Sequence, residues 1–173
     1  PNTQNLLQTV EFGGSASTSA LTFSVYVYAS DLQTGIFFFN ANAQQSIDDA
    51  LSSGAILVNA QETLYKMRDG AVDYTVGCAS KIGVFTFLWE RDSGNNKGRV
   101  SCYVNGNRVD SREESLFKSY FPNIKSYSTL ALRQISQGGE LQVSTGYLFN
   151  VALNQNQIAL LGNRQNDAGV LSL

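Results

Sequence analysis

The sequence predicts an all-β fold, an antiparallel β-sandwich (jelly roll) with a few short helical turns. Three observations lead there. Apolar and polar residues alternate with period two over several short runs, the runs are separated by glycine- and asparagine-rich turns, and no long helical segment alternates with them. The chain has 173 residues, the length of one domain, and no repeat, linker or low-complexity tract divides residues 1–173.

The first clear strand is Leu21–Tyr28, with Leu21, Phe23, Val25 and Val27 on one face and Thr22, Ser24, Tyr26 and Tyr28 on the other. Gly35–Asn40, Gly54–Val58 and Thr63–Met67 follow as strands, and Asp69-Gly70 is a hairpin signal because glycine accepts positive φ. Val84–Glu90 is the strongest strand pattern. The polar stretch Asp92–Gly98 then turns the chain into Arg99–Val104, and Asn105-Gly106 turns it again into Asn107–Val109. Two more strands are expected at Thr129–Gln134 and Gly146–Val151.

Helix is expected only in small pieces. Ser46 before Ile47–Leu51 supplies an N-cap. Ser111-Arg112-Glu113-Glu114 matches a capping box, which would start a helix carrying Leu116, Phe117, Tyr120 and Phe121 until Pro122 stops it. Asn154–Gln157 would cap Ile158–Leu161, closed by Gly162-Asn163.

Composition removes whole classes of function. Hydrophobic residues at 43% and aromatics at 11% supply a core, whereas charged residues are only 15% and the net charge is −2. That balance cannot neutralise a phosphate backbone, so no nucleic-acid partner is expected. Apolar runs such as Gly35–Phe39 are too short to insert into a membrane as a helix, and the N-terminus lacks a signal-peptide pattern. The chain opens on Pro1, which reads as a piece excised from a larger parent protein.

Histidine is absent, which removes Ser-His-Asp and Cys-His catalysis and the common zinc and iron sites. No metal or other cofactor is expected. Asp69, Asp73 and Asp92 have no calcium-ligand spacing and read as solvated turn residues. The two cysteines, Cys78 and Cys102, fit either one disulfide or two buried thiols, and their apolar context favours the thiols. No Asn begins a glycosylation acceptor, which disfavours a eukaryotic secretory route.

Specific segments resemble concanavalin A-like, laminin-G-like jelly-roll lectin domains. Lys81–Val109 is similar to the central hairpin of that family, with its turn written Tyr103-Val104-Asn105-Gly106. Gly146–Leu161 resembles the family's last strand, bend and terminal helical turn, and Leu21–Tyr28 its early strand. In size and organisation the chain is also similar to the glycan-binding spike head of a rotavirus-type non-enveloped virus. The resemblance implies a non-catalytic carbohydrate-binding-like domain that recognises a cell-surface glycan, sialylated glycans included. Such a domain would belong to an attachment protein on a virion outer surface or a microbial cell surface. The alternative is a structural or protein-interaction module.

Glycoside hydrolases of this fold use paired carboxylates. Glu90 and Asp92 would share a strand face, but Asn95 stands where a second glutamate belongs, and Glu113-Glu114 reads as a surface charge pair. No enzyme is expected. Ser, Asn and Gln take the place of charge, and neutral amides and hydroxyls bond sugar hydroxyls while aromatic rings stack on a pyranose. The candidate ligand-binding residues are therefore Tyr26, Tyr28, Tyr103 and Asn105, with Arg91 or Arg133 for an acidic sugar. Phe85, Phe87 and Trp89 share one face, which assigns Trp89 to the core.

Overall fold

The alternation that starts at Leu21 builds the middle of the molecule. The computed structural model describes residues 10–12, 19–29, 35–39, 51–52, 54–58, 61–80, 82–119, 128–134, 141–143 and 146–163. At 10–12, 29, 35–39, 128–134 and 141–143 it describes the backbone alone.

Two antiparallel sheets form. Sheet 1 has the order β1-β10-β3-β4-β5-β6, from β1 (Val10–Phe12), β10 (Ser128–Gln134), β3 (Gly35–Phe39), β4 (Ala55–Val58), β5 (Thr63–Asp69) and β6 (Val72–Cys78). Sheet 2 has the order β11-β2-β7-β8-β9, from β11 (Leu141–Val143), β2 (Ala20–Ala29), β7 (Ile82–Gly94), β8 (Lys97–Val104) and β9 (Asn107–Glu114). The short β12 (Tyr147–Phe149) pairs with β2 beside β11.

Period two decides what lies between the sheets. Leu21, Phe23 and Val25 stand opposite Trp89, Phe87 and Phe85 in the register, and all six are buried with Ile56, Tyr65, Met67, Val76 and Cys102. Burying each large side chain contributes about 1.5–3 kcal/mol. Trp89 meets Tyr65 edge to face, with centroids 5.4 Å apart and planes at 81°, and lies 5.9 Å from Phe87. The core assignment of Trp89 is correct.

Three local expectations change. Ser111–Glu114 is strand and not a helix start, because cross-strand partners outcompete the local cap. Ser111 Oγ lies 3.0 Å from Ser101 Oγ, and Glu113 stands opposite Arg99. The helix there, α1 (Ser115–Ser119), begins only after the strand. The polar stretch after Glu90 is also largely strand: β7 runs to Gly94, with an irregularity in its pairing to β8 between Glu90 and Gly94, and Asn95-Asn96 make the turn with φ of 51° and 60°. Two positive φ values are what a tight hairpin of the right twist requires, and asparagine tolerates them. Finally, β1 and β11 had no visible sequence signal.

The second helix, α2 (Gln155–Asn163), has the predicted cap. Asn154 Oδ1 accepts the Gln157 amide at 2.9 Å, and Gln157 Oε1 accepts the Asn154 amide at 2.9 Å. Of the expected early helical turn, Leu51 and Ser52 are helical and residues 46–50 lie outside the described residues, as do Pro122, Tyr120 and Phe121.

Candidate functional site

The outer face of sheet 2 carries the alternate residues of its strands. Thr22, Ser24, Tyr26 and Tyr28 on β2 face Leu88, Thr86, Val84 and Ile82 on β7. Part of this face is sealed by the chain's later segment. Thr22 Oγ1 donates to the Val151 carbonyl at 2.8 Å and accepts the Leu153 amide at 3.1 Å. Ile158 of α2 is fully buried against Leu88 and Tyr103. Thr86 Oγ1 donates to Ser24 Oγ at 2.9 Å beneath.

What remains open is the end of β2 and its flanks. Tyr26 and Tyr28 are half-buried, and Ile82, the cross-strand partner of Tyr28, is 46% exposed. Tyr147 on β12 is the partner of Ser24, so it stands on this same face diagonal to Tyr26, and it is 41% exposed. Three tyrosines and Ile82 thus share one partly open face. The strand carrying Tyr147 was expected from sequence, but the face that Tyr147 takes is fixed only by the pairing of β12 with β2.

The other candidate residues separate from this patch. Tyr103 shares the outer face, but at 7% exposure it lies under Ile158. Burial pushes its hydroxyl pKa up, and the nearby Arg108 guanidinium pulls it back. Asn105 is a turn residue, with φ of 52°, whose Oδ1 accepts the Val84 amide at 2.9 Å and whose own amide donates to the Val84 carbonyl at 2.8 Å. Its side chain therefore holds the hairpin. Arg91 is half-buried at the far end of β7, where its amide donates to the Ser19 carbonyl at 2.9 Å. Arg133 lies in β10 of sheet 1, paired with Ile36, and its side chain is outside the described residues.

The carboxylates are held by neighbouring cations. Glu90 Oε1 lies 3.6 Å from Arg99, which Glu113 also binds. Asp92 accepts Lys118 Nζ of α1 at 3.0 Å and the Gly94 amide at 3.1 Å, and these hold its carboxyl below the usual carboxylate range. Asp73 is gripped by Arg68 at 2.7 and 3.2 Å, with Lys66 at 3.9 Å, which lowers its pKa likewise. Glu113-Glu114 is a strand pair, with Glu114 accepting Arg112 at 2.9 Å. Among the described residues no group of three His, Cys, Asp or Glu could hold a metal ion. Cys78 and Cys102 are free thiols, Cys102 fully buried.

No protein-family model and no curated protein sequence matches the chain. Solved structures match its fold. The ligand binding domain of botulinum neurotoxin serotype D in complex with N-acetylneuraminic acid superposes with a TM-score of 0.59 at 12% identity, covering 91% of this chain and 39% of that one. The binding domain of botulinum neurotoxin DC in complex with rat synaptotagmin II gives 0.57 at 14% identity, covering 86% and 36%. The SAP-like pentraxin of Limulus polyphemus gives 0.52 at 17% identity, covering 94% and 79%. The chain thus spans little more than a third of the neurotoxin binding domains it matches. The shared feature is the fold, an antiparallel β-sandwich.

Proposed function

We propose that the chain is a non-catalytic glycan-recognition module, residues 1–173 forming one domain of a larger attachment protein at a virion outer surface or a microbial cell surface. The observation that carries this reading is the partly open outer face of sheet 2 bearing Tyr26, Tyr28, Tyr147 and Ile82. Tyrosine offers a flat apolar ring for a pyranose and a hydroxyl for its polar rim, and neutral partners around it suit uncharged sugar hydroxyls. Two structures of the same fold are of binding domains, one in complex with N-acetylneuraminic acid. The α2,3-sialyllactose-bound CBM40 of a Ruminococcus gnavus sialidase has this fold at a TM-score of 0.51 and 11% identity, and supports a glycan, sialylated forms included, as the partner.

The test is a glycan array probed with the chain displayed multivalently, which amplifies weak contacts. Hits that share a terminal sugar and are lost on Tyr26→Ala or Tyr147→Ala support the reading and this site. Specific hits that survive both substitutions keep glycan recognition and overturn the site. An empty array overturns the function in favour of a structural or protein-interaction module.

A further inference from the structure

A second and chemically different place exists on sheet 2, at its β9 edge. Tyr103 is the partner of Arg108 while Cys102 is the partner of Asp110, so Val109 is an extra residue in β9. Such a bulge bends the strand and re-aims its side chains. Beside it lies an open depression of about 550 Å³ lined by Arg99, Arg108, Val109, Asp110 and Ser111. That volume is within the range of small-molecule sites, about 300–1,000 Å³.

We propose that this depression is a subsite for a sugar bearing a single carboxylate, anchored by Arg108; the inference rests on the glycan-recognition reading above. The charges around it decide the point. Arg99 is committed to Glu113 and Glu90. Asp110 is committed to amides, its Oδ2 accepting Gly77 N–H at 3.0 Å and its Oδ1 accepting Ser111 N–H at 2.9 Å. Arg108 is exposed, and among the described residues no carboxylate pairs with it. A planar guanidinium without a counter-ion matches a planar carboxylate through two parallel hydrogen bonds.

The remaining lining suits a sugar. Val109 is 49% exposed and offers apolar surface to a ring's C–H face, while the exposed Ser111 supplies a hydroxyl. Arg99 offsets Glu90 and Glu113, and the Asp110 carboxylate that remains repels a polysulfated chain more strongly than a ligand carrying one carboxylate. The subsite is also separate from the tyrosine patch. β7 and β8 lie between β2 and β9, an offset of roughly 14 Å at about 4.8 Å per strand.

The experiment is an amide-shift titration of the isotope-labelled chain with 3′-sialyllactose, lactose and a heparin oligosaccharide, repeated for Arg108→Ala and Arg108→Lys. Shifts from 3′-sialyllactose centred on residues 108–111 are expected, weaker by about tenfold or more in Arg108→Ala. Arg108→Lys is expected to recover part of that loss. Thermal melts confirm that each variant folds. Binding of 3′-sialyllactose no tighter than lactose, or undiminished in Arg108→Ala, overturns the subsite while glycan recognition stands. Tighter binding of heparin overturns the single-carboxylate selectivity. No shift with any of the three, together with an empty array, overturns both readings.

Discussion

Gly77 and Asp110 join the two sheets at one edge: the Gly77 amide of β6 donates to Asp110 Oδ2 of β9 at 3.0 Å. Nearby, the Arg112 guanidinium lies 5.0 Å from the centre of the Tyr74 ring, so strands from opposite sheets meet twice along this side. Hydrogen bonds to charged groups contribute about 1.5–3 kcal/mol. Asp110→Ala should lower unfolding free energy by about 2 kcal/mol in urea melts, and Asp110→Asn, which keeps a carbonyl acceptor, by about half of that.

Gly162 sits where α2 lies directly on the Asn105-Gly106 turn, and a Cβ there would collide with the Gly106 amide nitrogen. From the other side, a Cβ on Gly106 would come 2.8 Å from Ala159 Cα, and its φ of 85° excludes most side chains anyway. Overpacking of this kind costs about 1–3 kcal/mol. Gly162→Ala should show that loss in a thermal melt despite alanine's better helix propensity.

Thr63 Oγ1 is buried with no hydrogen-bond partner among the described residues. An unpaired buried hydroxyl is destabilising, and valine of nearly the same shape removes it. Thr63→Val should raise stability by about 1 kcal/mol in denaturant melts.

Acid should destabilise the fold through Asp73 and Asp92. Arg68 lowers the folded pKa of the first and Lys118 that of the second. For a carboxyl whose folded pKa is depressed, the stabilisation is fully present above its unfolded pKa, near 4, and is lost as pH falls through the folded value. Melting temperature should be flat above about pH 5 and drop below about pH 4. The double variant Asp73→Asn, Asp92→Asn should drop less steeply. Both groups are exposed, so the effect is modest and shrinks in high salt.

Burial raises the pKa of both thiols, and the neighbouring Asp110 carboxylate adds to it. Little thiolate exists near neutrality, and thiolate is the reactive form. Titration with an aromatic disulfide reagent should modify Cys102 only on unfolding, with Cys78 reacting first and slowly.

The strands with long clean alternation were readable because period two over eight residues admits one reading, as at Leu21–Tyr28. The three-residue β1 and β11 carry no such period, and they exist through their partners, β10 and β2. Ser111–Glu114 shows the same hierarchy from the other direction. Its local sequence satisfies a helix cap, yet Arg99 and Ser101 on the adjacent strand recruit it into the sheet. The candidate site was legible in part for a related reason. Which way Tyr26 points follows from phase, whereas the covering of Tyr103 by Ile158 depends on a contact 55 positions along the chain, beyond any local pattern. Arg108 carries no local signal, because whether its guanidinium has a counter-ion depends on how Arg99, Glu113 and Asp110 pair.

The outer face of sheet 2 is closed by hydrogen bonds between Thr22 and residues 151 and 153, some 130 positions away in sequence. On a ribosome the strands β2, β7, β8 and β9 emerge long before their cover. Until α2 is synthesised and docked, Leu88 and Tyr103 face water, and a nascent chain holds an apolar strip open to chaperones or to its neighbours on the same messenger. High contact order of this kind also slows folding of the finished chain. Co-translational assembly of this domain is therefore gated by its last described helix.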